Sequence, residues 1–101
     1  MNDGFVTTDL FFAVGLAYIF GENALTKIDL ISGVRDTTNF VVDAPSLDCQ
    51  EYHKEFESGQ LAISDLMAYV KIYNKVSRIL KTMRRDGETE WISPSWIAGR
   101  G

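Results

Sequence analysis

Cys49 and His53 are the only cysteine and the only histidine of this 101-residue chain, and they stand four residues apart. On a helix that spacing puts two side chains on one face, near enough for an imidazole to take a thiol proton. Such a nucleophile also needs a group to orient the imidazole and donors for an oxyanion, and the sequence signals neither. His53 stands among Glu51, Lys54 and Glu55, which reads as a solvated surface position. A single cysteine cannot close a disulfide within the chain or build a thiolate metal cluster. The sequence also lacks a phosphate loop, a dinucleotide glycine pattern, a zinc spacing and a nucleophile elbow. The expectation is a protein that is not an enzyme, with no catalytic residues, no metal and no cofactor.

Charge offers a second kind of chemistry. Residues 71–85 carry Lys71, Lys75, Arg78, Lys81, Arg84 and Arg85 and no acid, whereas residues 1–70 carry 11 acidic and three basic side chains. The net charge of −4 therefore hides an acidic body with one basic stretch. Lys71, Lys75, Arg78 and Lys81 follow at steps of four, three and three, which makes a stripe along one side of a helix. All six cations are candidate anion contacts, toward nucleic-acid phosphates or an acidic patch on a protein. Cations near a helix C-terminus are also favoured by the helix dipole, so the stripe needs no ligand to account for it. A general nucleic-acid binder is normally basic over a whole face, which leaves nucleic acid as the weaker of the two expectations.

A third set lies in the tail. Trp91-Ile92-Ser93-Pro94-Ser95-Trp96-Ile97 places two Trp-Ile steps on a segment without helical periodicity. Tryptophan is enriched among residues that dominate binding interfaces, so Trp91, Ile92, Trp96 and Ile97 are the candidate partner contacts. Pro94 and the surrounding glycines argue against helix, and an extended arm over 86–101 is expected, laid either on the domain's own core or on a neighbour.

The elements that must carry these residues are readable from patterning. Apolar residues make up 46% and charged residues 24% of the chain, the balance of a chain that folds. Thr7-Thr8-Asp9 precedes the run at 10–20, and Gly21 follows it, which predicts a helix over about 8–20. Eleven apolar residues are too few for a membrane span of about 20, so the run is expected to be core, or to pack on a partner, and no membrane partner is expected. Gly15 inside it suggests close approach of another element. Segments 25–31 and 37–42 are rich in β-branched residues and flank Ser32-Gly33-Val34-Arg35-Asp36, which predicts a β-hairpin. A lone hairpin is marginal, so its free edge is a plausible pairing site for a further strand.

A short helix over about 47–57 follows Ser46, with Leu47, Tyr52 and Phe56 as its apolar contacts. Residues 60–63 form an extended link. Ser64-Asp65 then caps the longest helix, about 65–84, in which Leu66, Tyr69, Val70, Tyr73, Val76, Leu80 and Met83 recur at helical steps as a core-facing stripe. The fold class is therefore α+β, with one domain over 1–85 and the arm beyond it. Residues before the first helix carry Asp3 and Asp9 and no Lys or Arg, unlike the basic start of a signal peptide. Secretion is not expected, and a place in the cytoplasm is.

Three stretches together resemble a small family of domains of unknown function scattered through phage and bacterial genomes. Phe5-Val6-Thr7-Thr8-Asp9-Leu10 followed by Ala13 resembles the family's Thr-x-Asp-Leu helix start. Asn39-Phe40-Val41-Val42-Asp43 is similar to its second hairpin strand, and Phe56-Glu57-Ser58-Gly59-Gln60-Leu61-Ala62-Ile63-Ser64 to its Phe-x-x-Gly-x-Leu turn into the final helix. The resemblance spans about residues 5–83; the tail lies outside it, and the first helix here is more apolar. It implies a phage or prophage setting, with a place in the host-cell cytoplasm or the virion, and the order helix, hairpin, helix, helix, and it brings no catalytic residues. The expected function is that of a non-enzymatic interaction or assembly component that binds a protein partner or itself. The alternative is a small inhibitor of a host defence or nucleic-acid enzyme that uses its acidic surface to mimic phosphate.

Overall fold

A computed structural model describes residues 4–31 and 37–93. The elements follow in the order β1 (Gly4–Thr7), α1 (Leu10–Phe20), a 3-10 turn (Glu22–Ala24), β2 (Leu25–Ile31), β3 (Thr37–Asp43), α2 (Ser46–Glu57), α3 (Leu66–Asp86) and β4 (Glu90–Ile92). This is the α+β class read from the sequence. The helix boundaries have local causes. Asp9 Oδ1 accepts from the Phe12 N–H at 3.1 Å, while the Asp9 N–H donates to Thr7 Oγ1 at 3.2 Å, so the Thr-Thr-Asp segment ends one element and starts the next. Asp65 caps α3 in the same way, accepting from the Ala68 N–H at 3.0 Å. Gly87, left-handed at φ 70°, closes α3 by donating to the Met83 carbonyl.

β2 and β3 pair antiparallel as the hairpin predicted, though the 32–36 connection lies outside the described residues. Both flanks of that hairpin are occupied by the chain itself: the sheet order is β1-β3-β2-β4, with β1 antiparallel to β3 and β4 antiparallel to β2. The free edge expected on the hairpin is thus closed, and the open edges among the described residues belong to β1 and β4. Strands of four and three residues are too short to leave a period in a sequence. The described part of the arm is built into the sheet, and bonds from Leu30 N to Thr89 O and from Ser93 N to Thr26 O, both 2.8 Å, extend β4 at either end. Trp96 and Ile97 lie outside the described residues.

All three helices contact α1 or the sheet, and the buried side chains form one cluster. Phe12, Ala13, Val14, Leu16 and Ala17 of α1 meet Ile28, Phe40 and Val42 from the sheet, Cys49 from α2, and Val76, Leu80 and Met83 from α3. α1 touches α2, α3 and three strands, which is why a helix apolar nearly all round is stable here. Gly15 faces the link before α3, and a Cβ built on it would lie 3.5 Å from Leu61 Cδ2, an ordinary contact. The element that approaches therefore leaves room for a methyl group. Gly15→Ala is expected to stabilise the fold by up to about 1 kcal/mol through helix propensity, read as a higher urea midpoint at unchanged slope.

Candidate functional site

The Cys49 thiol is fully buried in the core cluster. Burial pushes its pKa up, with a smaller push from the Asp48 carboxylate, the reverse of what activates a nucleophile. His53 sits only partly in solvent: its ring lies edge-on to Phe12 at 4.9 Å and its Nε2 is 3.2 Å from Glu57 Oε1. The imidazole thus covers one side of a core phenylalanine. Among the described residues no group of three or more His, Cys, Asp or Glu side chains is placed to hold a metal ion. No described helix is long and apolar enough to cross a membrane.

The six cations all lie on α3, but they divide. Lys75 pairs with Glu22 at 3.3 Å, bracing α3 against the 3-10 turn, and Arg85 pairs with its neighbour Asp86 at 3.0 Å. Lys71, Arg78, Lys81 and Arg84 are exposed and make no ion pair with the described residues. These four are the candidate anion contacts that the structure leaves toward solvent.

Strand geometry separates the two tail residues that are described. Trp91 stands opposite Ile28, a fully buried position, and packs against the core beside α3. Ile92 stands opposite Lys27, on the face of the sheet turned from the helices. There Lys27 bridges Asp29 at 3.6 Å and Glu90 at 3.3 Å; the hydrogen bond that Lys27 donates to Glu90, then the charge of Asp29, raises the Lys27 pKa. Trp91 and Ile92 therefore stand on opposite faces of the sheet, because consecutive residues of a strand point to opposite sides.

The sequence reading placed Leu66 and Val70 in the core-facing stripe of α3, and the structure corrects this. Leu66 and Met67 are each 66% exposed and Val70 37%. α1 reaches this end of α3, so the cause is the side of the helix: at 3.6 residues per turn Leu66, Val70 and Met67 stand about 80°, 120° and 180° round α3 from the buried Val76. At the start of α1, Phe11 is itself 55% exposed, and its ring stacks on Tyr73 at 5.5 Å. The Tyr69 hydroxyl donates to the Phe11 carbonyl at 2.9 Å, and burial raises the Tyr69 pKa, with smaller contributions from Asp9 and Tyr73. Tyr18 holds the same seam from the other side: its hydroxyl accepts from the Asp65 N–H and meets Ser64 Oγ, both at 3.0 Å. Phe11, Leu66, Met67 and Val70 thus form an exposed apolar patch on a seam fixed by hydrogen bonds. The available signal was the width of the apolar face of α3, too broad for one short helix to bury.

Comparison of the chain with protein-family models, with curated proteins and with solved structures finds no match in any of the three.

Proposed function

We propose that this chain is a non-enzymatic interaction or assembly component that binds a protein partner or a second copy of itself. The observation that carries the reading is the patch of Phe11, Leu66, Met67 and Val70, large apolar side chains left in solvent on two rigid helices. Residues three and four apart on α3 are neighbours, so Leu66, Met67 and Val70 are contiguous, and Val70 adjoins Tyr73 under the Phe11 ring. Arg84 follows Leu66 by 18 residues, about five turns at 3.6 residues each, and so lies on the same side of the helix. That side is apolar near its start and cationic near its end, which suits a protein surface that offers apolar side chains next to carboxylates. The resemblance of the 5–83 region supports a phage or prophage origin, with a place in the host cytoplasm or the virion.

The alternative, phosphate mimicry by an acidic surface, has less support. Glu22, Asp29, Glu51, Glu57, Asp86 and Glu90 each engage a basic side chain of the chain itself. Direct nucleic-acid binding would rest, among the described residues of α3, on Lys71, Arg78, Lys81 and Arg84.

The test is affinity capture of the chain from its native source, with the intact mass of the complex measured for wild type and for a Met67→Asp/Val70→Asp double variant. Wild type is expected in complex with a protein or as a dimer. The double variant, with helical circular dichroism retained, should bind on the order of tenfold or more weakly, the scale of losing an interface anchor. A wild-type monomer with no bound protein, or a double variant that binds as wild type does, would refute the reading.

A further inference from the structure

Trp91 is flanked by two hollows between α3 and the β4 edge. The larger, of about 360 Å3, is lined chiefly by Leu25, Ile72, Val76, Ile79, Trp91 and Ser93. The Glu22–Lys75 ion pair borders it. The second, of about 230 Å3, shares Lys75, Ile79 and Trp91 with the first. Together they form a mainly apolar groove along one side of α3, well away from the patch at Phe11 and Val70.

We propose that this groove is the seat of the same chain's Trp96-Ile97 segment. The described chain ends in the groove wall: Ser93 is 5% exposed, lines the larger hollow, and is pinned there by its N–H bond to the Thr26 carbonyl. Ser93 pairs with Thr26, and β2 begins only one residue before that, at Leu25, so beyond Ser93 that strand has almost no edge left to pair with, and the tail starts at the mouth of the groove. Trp96 follows Ser93 by three residues, a reach of at most about 11 Å when fully extended. An indole buries about 150–250 Å2 when enclosed and asks for one acceptor for its N–H. The groove supplies apolar walls for the ring, and the Glu22 carboxylate at its border is such an acceptor. A segment tethered this closely competes with any free ligand at a high effective concentration, which favours the chain's own tail over a tail from a second copy. The inference is independent of the contact proposed above, since it uses the opposite flank of α3.

Trp91→Phe leaves Trp96 as the only tryptophan and reads its surroundings in the full chain. The expected result is blue-shifted emission and acrylamide quenching several-fold weaker than for free tryptophan, unchanged on dilution to a monomer. Adding Ile79→Glu, with helical circular dichroism retained, should restore free-like quenching. If that variant unfolds, Trp96→Ala in the otherwise native chain decides instead: it should open the groove and raise the quenching of Trp91. Free-like quenching of Trp96 in Trp91→Phe overturns the proposal. So does protection that vanishes on dilution, which would assign the groove to a second copy's tail. Protection of Trp96 that survives Ile79→Glu, or unchanged Trp91 quenching in Trp96→Ala, overturns it as well.

Discussion

Truncation of Phe12 to alanine is expected to cost about 3–5 kcal/mol of folding stability, a large share of the roughly 5–15 kcal/mol that holds a domain of ordinary size together. Phe12 is 0% exposed and is the aromatic hub of the structure. Its ring meets Phe5 edge-on at 6.1 Å, Phe56 at 5.2 Å and His53 at 4.9 Å, so one side chain joins β1, α1 and α2. The cavity left by alanine would border three elements, and none can close it without leaving its hydrogen-bonded position. Urea unfolding followed by circular dichroism measures the effect. A loss below about 1 kcal/mol would mean that β1 and α2 are not packed on α1 as described, since even a single well-buried methylene contributes about that much.

The second large effect separates neighbours in sequence. Trp91→Ala is expected to destabilise the fold by about 2–3 kcal/mol, somewhat under the range for a fully enclosed tryptophan because the ring is only half-buried. Ile92→Ala is expected to cost less than about 1 kcal/mol, because its side chain stands on the open face of the sheet beside the Lys27 ion pairs. The two variants unfolded side by side in urea test strand register directly. Equal losses would place β4 one residue out of register, since a slip of one exchanges the faces of every side chain.

The reading of the tail as one interface treated Trp91 and Ile92 as a pair because they are adjacent and similar in chemistry. The sheet instead turns the two to opposite faces. A three-residue strand shows no alternation of its own, so which residue faces the core depends on the partner strand, whose paired residues stand 61 to 65 positions earlier. β1 escaped notice for the same cause, since Gly4–Thr7 gains its structure by pairing with β3. The basic stripe was legible as a stripe, because helical spacing is a local property. That Lys75 would be spent on Glu22 and Arg78 would not depends on where the 3-10 turn lands.

Local chemistry therefore determined the α+β class, three helices, the Asp caps of α1 and α3, the hairpin, and the apolar character of α1. These follow from backbone hydrogen-bond satisfaction and from a period of 3.6 or 2 within a few residues, which a linear chain displays. Only the tertiary structure decided the order of the sheet, the burial of Cys49, the separation of Trp91 from Ile92, and the exposure of Leu66, Met67 and Val70. Each of those depends on what lies across a gap in space. The last depends on which side of α3 meets α1 and the sheet, which no window on the helix alone contains.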